Sequence, residues 1–171
     1  MGTFAELVTA RYSVRKFGET PVEQEKIDQL LKVAQIAPTA HNNQPQRLIP
    51  VTTPEKLGLI DQSTPCRAGA PLVFIIGYDR DACWVRPFDG EISGIVDASV
   101  ITTHLMLEAT DLGLGSVWVM HFDPSKLREL FELPDNIIPV ALLSVGYSAP
   151  DAEPSPRHFE SKPLEDLILA S

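Results

Sequence analysis

One long helix with apolar residues on nearly every side is predicted for residues 91–112, EISGIVDASVITTHLMLEATDL. A helix that leaves no polar face is expected to be buried all round. Because a small domain cannot easily surround it, part of its surface is expected to pack against a second subunit. Gly113 and Gly115 are expected to end it. Its apolar members are Ile95, Val96, Ala98, Val100, Ile101, Leu105, Met106 and Leu107.

Helices and strands are both predicted on either side of this helix. Thr3 and Glu6 have the spacing of a capping box, which opens a first helix. A buried strand is indicated by the apolar run Leu72 to Ile76, and Asp123-Pro124 is a typical helix start. The class is therefore mixed α and β. Helices are predicted over 3–11, 21–37, 54–60 and 123–131, and strands over 47–52, 71–78, 116–120 and 139–147.

Length, charge and cysteine content exclude several classes of function. The 171 residues suffice for one domain with its own core, and the net charge of −9 argues against general binding to nucleic acid or anionic membranes. No apolar run reaches the ~18–20 residues of a membrane span. Residues 1–6 lack the basic and apolar regions of a signal peptide, so a soluble, cytoplasmic protein is expected. Cys66 and Cys83 alone form neither a disulfide framework nor a four-ligand zinc site.

A basic cluster, RYSVRKF, occupies residues 11–17 just after the first predicted helix. The guanidinium forks of Arg11 and Arg15 suit phosphate oxygens, and the hydroxyl of Ser13 adds a third donor. The alternative is a solvated basic turn that the dipole at the helix C-terminus stabilises. The cluster is thus a candidate phosphate site.

A polar loop flanked by prolines occupies residues 38–45, PTAHNNQP. The side-chain amides of Asn42, Asn43 and Gln44 can both donate and accept hydrogen bonds, which matches the edge of a flat heterocycle. The alternative is that these amides satisfy the loop's own backbone.

Other motifs carry less information. Residues 112–116, LGLGS, follow a helix and precede a strand, the reverse of the order in a dinucleotide-binding loop. The four histidines lack metal-ligand spacing, so no metal site is predicted, and His104 is expected to be internal or at an interface. Motifs of serine hydrolases, zinc proteases and P-loop enzymes are missing from the sequence.

Four motifs in order make the chain resemble the nitroreductase family of FMN-dependent oxidoreductases over nearly its whole length. The basic cluster is similar to the family's Arg-x-Ser-x-Arg-x-Phe, and the polar loop is similar to its Ala-Pro-Ser-x-x-Asn-x-Gln-Pro-Trp. Residues 113–118 resemble its Gly-Leu-Gly-x-x-Trp, and residues 139–147 resemble its last core strand. The matching residues of the first two motifs are Arg11, Ser13, Arg15, Phe17, Ala37, Pro38, Thr39, Asn42, Gln44 and Pro45.

The resemblance implies an α+β fold with a mixed central β-sheet flanked by helices. It also implies an intertwined homodimer built on the long helix, with two FMN molecules at the subunit interface. Residues 1–171 would form a single nitroreductase-like domain, in which residues 148–171 are a C-terminal arm that packs on the partner subunit.

The resemblance also assigns roles to individual residues. Arg11, Ser13 and Arg15 would hold the FMN phosphate, and Tyr12 would contribute its backbone. Met120 and His121 match the place where backbone N–H groups approach flavin N5. Lys162, or alternatively Arg157, would supply a further cation to the phosphate. In the polar loop, Pro38, Thr39 and Ala40 of the partner would line one face of the ring, and Asn42 and Gln44 would lie near the ring or brace the loop.

Two departures from the family pattern bear on the substrate side. His121 stands where the family often has glycine, so its side chain is expected to narrow the pocket. Gln46 stands where tryptophan is usual. The chain also lacks the long insertions that often cover the pocket.

The implied activity is hydride transfer from NAD(P)H through FMN to a nitroaromatic, quinone or similar acceptor by a ping-pong mechanism. The cofactor carries the chemistry, so no side chain is required as a catalyst, although His121 is a candidate proton donor. One alternative is a flavin-binding or flavin-storage protein with little turnover, which a pocket narrowed by His121 would suit. Another is a different flavin reaction on the same fold, such as dehalogenation or flavin breakdown.

Overall fold

A four-stranded antiparallel sheet forms the centre of the computed structural model, which describes residues 3–169. The first two residues and the last two, including the end of the expected arm, lie outside the described part. The spatial order of the strands is β1-β2-β4-β3. Their bounds are β1 Gln46–Val51, β2 Leu72–Asp79, β3 Gly115–Val119 and β4 Ile137–Gly146.

The structure confirms the expected α+β class, but the sheet itself is antiparallel and not mixed as expected. All three strand pairs are antiparallel. Among residues 3–169, parallel pairing is confined to an isolated bridge between Ser13 and Ser116. Residues 13–17 form only isolated bridges and no strand.

Five α-helices flank the sheet within residues 3–169, and local signals mark where they begin. The Thr3 hydroxyl accepts a hydrogen bond from the Glu6 amide, which completes the expected capping box. The Asp123 carboxylate accepts from the amides at Ser125 and Lys126, and proline follows it at the first helical position. The helices are α1 Phe4–Ala10, α2 Gln24–Ile36, α3 Pro54–Ser63, α4 Gly94–Asp111 and α5 Pro124–Leu130.

The two faces of the sheet carry separate apolar cores. Helices α2 and α4 cover one face, where Leu30 and Ile101 pack with Phe74 of β2. Helices α3 and α5 cover the other face, where Ile60 and Leu127 pack with neighbouring strand residues. Because β2 lies between two strands and between both helix layers, its seven residues from 72 to 78 are all buried. This burial explains its continuous apolar sequence.

Helix α4 is not buried on every side, and the expectation fails for a single chain. Its inner face is fully buried through Ala98, Ile101 and Leu105. On its outer face, Ile95 is 60% exposed and Val96 is 65% exposed. One chain supplies neighbours to only one side of the helix, so the second subunit expected there stays a prediction.

The glycine-rich turn after α4 brings the basic cluster against the sheet. Gly113 has a φ of +74°, as expected for the residue that ends a helix in the left-handed region. A Cβ on Gly115 would lie 2.6 Å from Cγ2 of Val14. The missing side chain allows the Val14 amide to donate to the Ser116 carbonyl at 2.9 Å. Glycine at position 115 therefore positions residues 11–15 beside the start of β3.

Candidate functional site

A basic cavity of about 290 Å³ lies where the segment after α1 meets the C-terminal segment. Arg11 follows the end of α1, and Ser13 is held by its bridge to Ser116 of β3. These elements place two of the expected phosphate ligands on one wall. The cavity is lined by Arg11, Ser13, Arg15, Ser155, Arg157 and His158.

The cavity has three guanidinium groups and no carboxylate in its lining. Within residues 3–169, none of these arginines forms an ion pair. Arg15 Nη1 donates to the Ser13 carbonyl at 3.2 Å, and Arg11 Nη1 lies 3.8 Å from the sulfur of Met106. Lys16 of the same segment instead pairs with Asp151. Positive charge without carboxylate partners around one cavity favours an anion-binding site as the interpretation of these residues. It does not favour the alternative of a solvated basic turn.

A second cavity of about 420 Å³ shares Arg15 with the first. Its wall combines the end of β3 and the residues that follow it with the turn after α3. The two segments meet because the Asp123 amide donates to the Ser63 carbonyl at 2.8 Å. A phosphate in the first cavity would thus lie next to a flat ring in the second. The lining residues besides Arg15 are Pro65, Cys66, Ala68 and residues 117–121.

His121 lies at the exposed side of this second cavity beside a thiol. The Thr64 hydroxyl donates to the His121 carbonyl at 2.5 Å and accepts from the Cys66 amide at 3.0 Å. His121 Nδ1 lies 3.8 Å from Sγ of Cys66. The backbone of His121 is therefore fixed, and its imidazole and the thiol face one cavity. Met120 lines the same cavity and is exposed.

The other cysteine lies outside both cavities. Burial, followed by the nearby carboxylates of Asp97 and Asp79, raises the pKa of the Cys83 thiol. Cys83 therefore stays protonated near neutral pH and acts as a core residue.

The polar loop does not reach either cavity within one chain. Pro38, Thr39, Ala40, Asn42 and Gln44 are absent from the linings of both. The loop satisfies itself in part, because Gln44 Nε2 donates to the Asn42 side chain at 3.0 Å and the Gln44 amide donates to the Thr39 hydroxyl at 3.1 Å. These hydrogen bonds lie within the loop, and both roles expected for Asn42 and Gln44, near the ring or in bracing the loop, stay predictions.

The C-terminal segment contributes Arg157 rather than Lys162 to the basic cavity of its own chain. Arg157 is part of the lining, whereas Lys162 is exposed and outside it. Ser148 bridges to Phe17, and the Ala149 amide donates to the Lys16 carbonyl at 3.0 Å. The first part of the expected arm therefore packs on its own chain. Its later apolar side chains are exposed: Phe159, Leu164, Leu167, Ile168 and Leu169.

Sequence analysis did not identify three residues that line the cavities but lie outside the motifs: Cys66, Ala68 and His158. Cys66 was considered only for disulfides and zinc, and nothing in its neighbourhood indicates a contact with residue 121. Ala68 adopts a φ of +59° without being glycine, so the turn has no local signal. For His158, adjacency to Arg157 in a proline-rich segment is a signal that could have been used. Its ring meets that of Tyr12 edge-on, with centroids 6.2 Å apart.

Residues 3–169 contain neither a metal-binding cluster nor a membrane-spanning helix. No three His, Cys, Asp or Glu side chains in this range are grouped so that they could bind a metal ion. No helix in it combines the length and apolar character needed to cross a bilayer.

Comparisons with known proteins agree with one another. A model of the nitroreductase family matches residues 8–65 and 62–147. A nitroreductase family protein of known structure from Clostridium difficile 630 has a TM-score of 0.93 and 41% identity, covering 98% of both chains. An FMN-dependent nitroreductase from Clostridium difficile R20291 has a TM-score of 0.76 and 28% identity over 89% of this chain and 91% of that one. FMN reductase (NAD(P)H) from Bacillus subtilis strain 168 is 29% identical over 92% of this chain and 70% of that protein.

Proposed function

This chain belongs to the nitroreductase family, and from that premise we propose that it is an FMN-dependent oxidoreductase that transfers hydride from NAD(P)H to a nitroaromatic, quinone or similar acceptor. The names of its relatives, an FMN-dependent nitroreductase and an NAD(P)H-dependent FMN reductase, support this reaction class. The observation that carries the proposal is the basic cavity, where three guanidiniums without carboxylate partners adjoin a second, larger cavity.

The residues present fit FMN. Arg11, Ser13, Arg15 and Arg157 would hold the phosphate, with Tyr12 contributing its backbone and Lys162 remaining a further predicted ligand. When bound, FMN supplies hydride transfer between the nicotinamide and the acceptor. Residues 117–121 would form the wall against which the ring lies, and Met120 and His121 would present their backbone to it.

We also propose that each site is built from two chains of a homodimer. Two observations support this arrangement. The outer face of α4 exposes Ile95 and Val96, and the polar loop lies away from the basic cavity of its own chain. A second copy packed on α4 would bury the apolar face and bring Pro38, Thr39, Ala40, Asn42 and Gln44 to the site of its partner.

With the flavin ring against residues 117–121, the part of the second cavity that the ring leaves open is the space proposed for both NAD(P)H and the acceptor. Because both substrates would reach the ring through this one space, they would use it in turn, as a ping-pong mechanism requires. His121 is the ionisable side chain in this lining besides Arg15 and Cys66, and it would donate a proton to the reduced acceptor.

Reconstitution with FMN tests the proposal. We expect a yellow protein with about one FMN per chain, and anaerobic reduction of the bound flavin by NADH or NADPH within the time of one turnover. Stopped-flow absorbance would measure the reduction. A protein that stays colourless with excess FMN would contradict flavin dependence. Bound flavin that neither nicotinamide reduces would favour the storage alternative, and a panel of acceptors under anaerobic conditions would separate dehalogenation from nitro and quinone reduction.

Replacing His121 with glycine is expected to raise activity on bulky nitroaromatics or quinones more than on small ones. The imidazole stands at the exposed side of the cavity, and its removal widens the space without altering the carbonyl that accepts from Thr64. Steady-state rates across acceptors of increasing size measure the effect.

His121→Gln provides the matched control for this variant, because it keeps a side chain of similar reach but cannot carry a proton at neutral pH. Size selectivity should stay as in the wild type, whereas a rate loss shared by all acceptors would assign proton donation to the imidazole. Identical relative rates in His121→Gly and the wild type would show that the side chain points away from the acceptor.

A further inference from the structure

A buried carboxylate lies outside the two cavities and connects α4 to the polar loop. Asp97 is in the first turn of α4 and is only 2% exposed. Its Oδ1 accepts from the Ala40 amide at 2.9 Å, and its Oδ2 accepts from the Ser93 hydroxyl at 2.7 Å. Within residues 3–169 it has no ion-pair partner. A carboxylate in this environment is costly to bury unless its hydrogen bonds are retained.

The loop that Asp97 contacts has a strained backbone. His41, Asn42 and Gln44 have φ values of +52°, +55° and +51°, although none of them is glycine. Each such residue costs free energy, and such conformations persist only where their surroundings hold them. The bond from Ala40 to Asp97 comes just before the first strained residue and adds an external constraint to the hydrogen bonds within the loop.

A second connection runs from the same helix start to the loop. The Ser93 hydroxyl, which donates to Asp97, accepts from the Trp84 amide at 3.2 Å. The Trp84 indole stacks on the His41 ring, with centroids 5.2 Å apart and planes 12° apart. Asp97 therefore contacts the loop directly through Ala40 and indirectly through Ser93 and Trp84.

A role in stabilising α4 alone does not account for this geometry. An acidic residue in the first turn is favourable beside the helix dipole whichever way its oxygens point. Here both oxygens accept from donors that precede the helix, and one of these donors belongs to the loop 57 residues earlier in the chain. The bond therefore connects the loop to the start of the helix.

We propose that Asp97 is a positioning residue that holds residues 39–44 in the conformation the two-chain flavin site requires. This inference rests on the proposed function, because it assigns the loop to the ring side of the site. Asp97 itself would touch neither the flavin nor the substrate.

The first test measures the loop directly, by hydrogen exchange and mass spectrometry of the purified full-length protein. Asp97→Ala should speed exchange in residues 39–44 by about tenfold, since it removes a hydrogen bond to a charged acceptor. Asp97→Asn, which keeps the shape and one acceptor, should give a smaller increase in the same direction and serves if the alanine variant does not fold. Thr102→Val is the matched control: Thr102 is buried on the same helix, but its hydroxyl donates to the Ala98 carbonyl at 2.7 Å.

The second test measures flavin affinity by fluorescence titration. Asp97→Ala should weaken FMN and riboflavin alike, by about tenfold each, because the loop faces the ring rather than the phosphate. Thr102→Val should change neither by more than about twofold.

Two outcomes would overturn the inference. One is a rate of hydrogen exchange in residues 39–44 that is the same in Asp97→Ala as in Thr102→Val. If Asp97→Ala does not fold, the same comparison is made with Asp97→Asn. The other is faster exchange with an unchanged affinity for both flavins. If the wild type binds neither flavin, the proposed function fails, and with it the role of Asp97 in a flavin site, while the exchange data still report whether Asp97 holds the loop.

Discussion

Reversing the charge of two guanidiniums, in Arg11→Glu with Arg15→Glu, is expected to weaken FMN binding by about a thousandfold or more. Each charge-assisted hydrogen bond to phosphate contributes roughly 1.5–3 kcal/mol, so two of them account for a factor of about a hundred to ten thousand. The introduced carboxylates add repulsion of the phosphate. Arg157 would remain as the one guanidinium of the cavity lining, which is too little to offset two negative charges.

Riboflavin separates this effect from general damage, because it has the ring of FMN but no phosphate. Its affinity should change little in the double variant, and Arg15→Ala should weaken FMN alone by about tenfold to a hundredfold. Lys32→Glu with Lys56→Glu is the charge-matched control, since both lysines are exposed on helices outside the two cavities. All titrations are made at one ionic strength because salt screens the charges. Equal losses for FMN and riboflavin would show that the arginines do not contact the phosphate.

The parts of the fold that depend on neighbours in sequence could be predicted. The capping box at Thr3, the proline after Asp123 and the apolar run of β2 each specify their own element, because their interactions are made within a few residues. Arg11, Ser13 and Arg15 come together for the same reason, since all three lie in one short segment.

The rest of the site depends on distant packing that no local pattern records. His121 meets Cys66 only because α3 and α5 pack side by side, and Ala40 meets Asp97 only because the polar loop crosses the start of α4. The left-handed backbone at His41 is also unmarked, because few residues other than glycine adopt it and no glycine signals it. The largely apolar sequence of α4 predicted burial on every side, whereas a single chain buries the inner face and leaves Ile95 and Val96 exposed, so cover by a second chain stays a prediction.

Co-expression of two inactive variants is expected to restore flavin binding in about a quarter of all sites. One chain carries Arg11→Glu with Arg15→Glu, which repels the phosphate. The other carries Thr39→Trp, which fills the ring space from the loop side and removes the hydroxyl that accepts from the Gln44 amide. In a mixed dimer with two-fold symmetry, one site takes both lesions and the other takes none. Random pairing makes about half of the dimers mixed, so about one site in four recovers.

A second co-expression experiment distinguishes a site built from two chains from a site within one chain by the fraction of sites that bind FMN. Wild-type chains are paired with chains that carry all three substitutions. If each site uses two chains, both sites of a mixed dimer are damaged, and only the wild-type dimers, about a quarter of the total, bind FMN. If each site lies within one chain, every wild-type chain binds, and about half of the sites are filled. Flavin absorbance per chain, with tags to quantify the mixed dimer, measures both experiments.

The two results must agree for the two-chain site to stand. A quarter of the sites in both experiments requires that Arg11 and Arg15 come from one subunit and Thr39 from the other, because no assignment within one chain gives recovery in the first experiment. No recovery in the first and half in the second would place both motifs in one chain. The exposed face of α4 would then need another explanation, and the polar loop would have to move to reach the basic cavity of its own chain. The chains are co-expressed rather than mixed, because the proposed interface on the long helix would exchange slowly once formed.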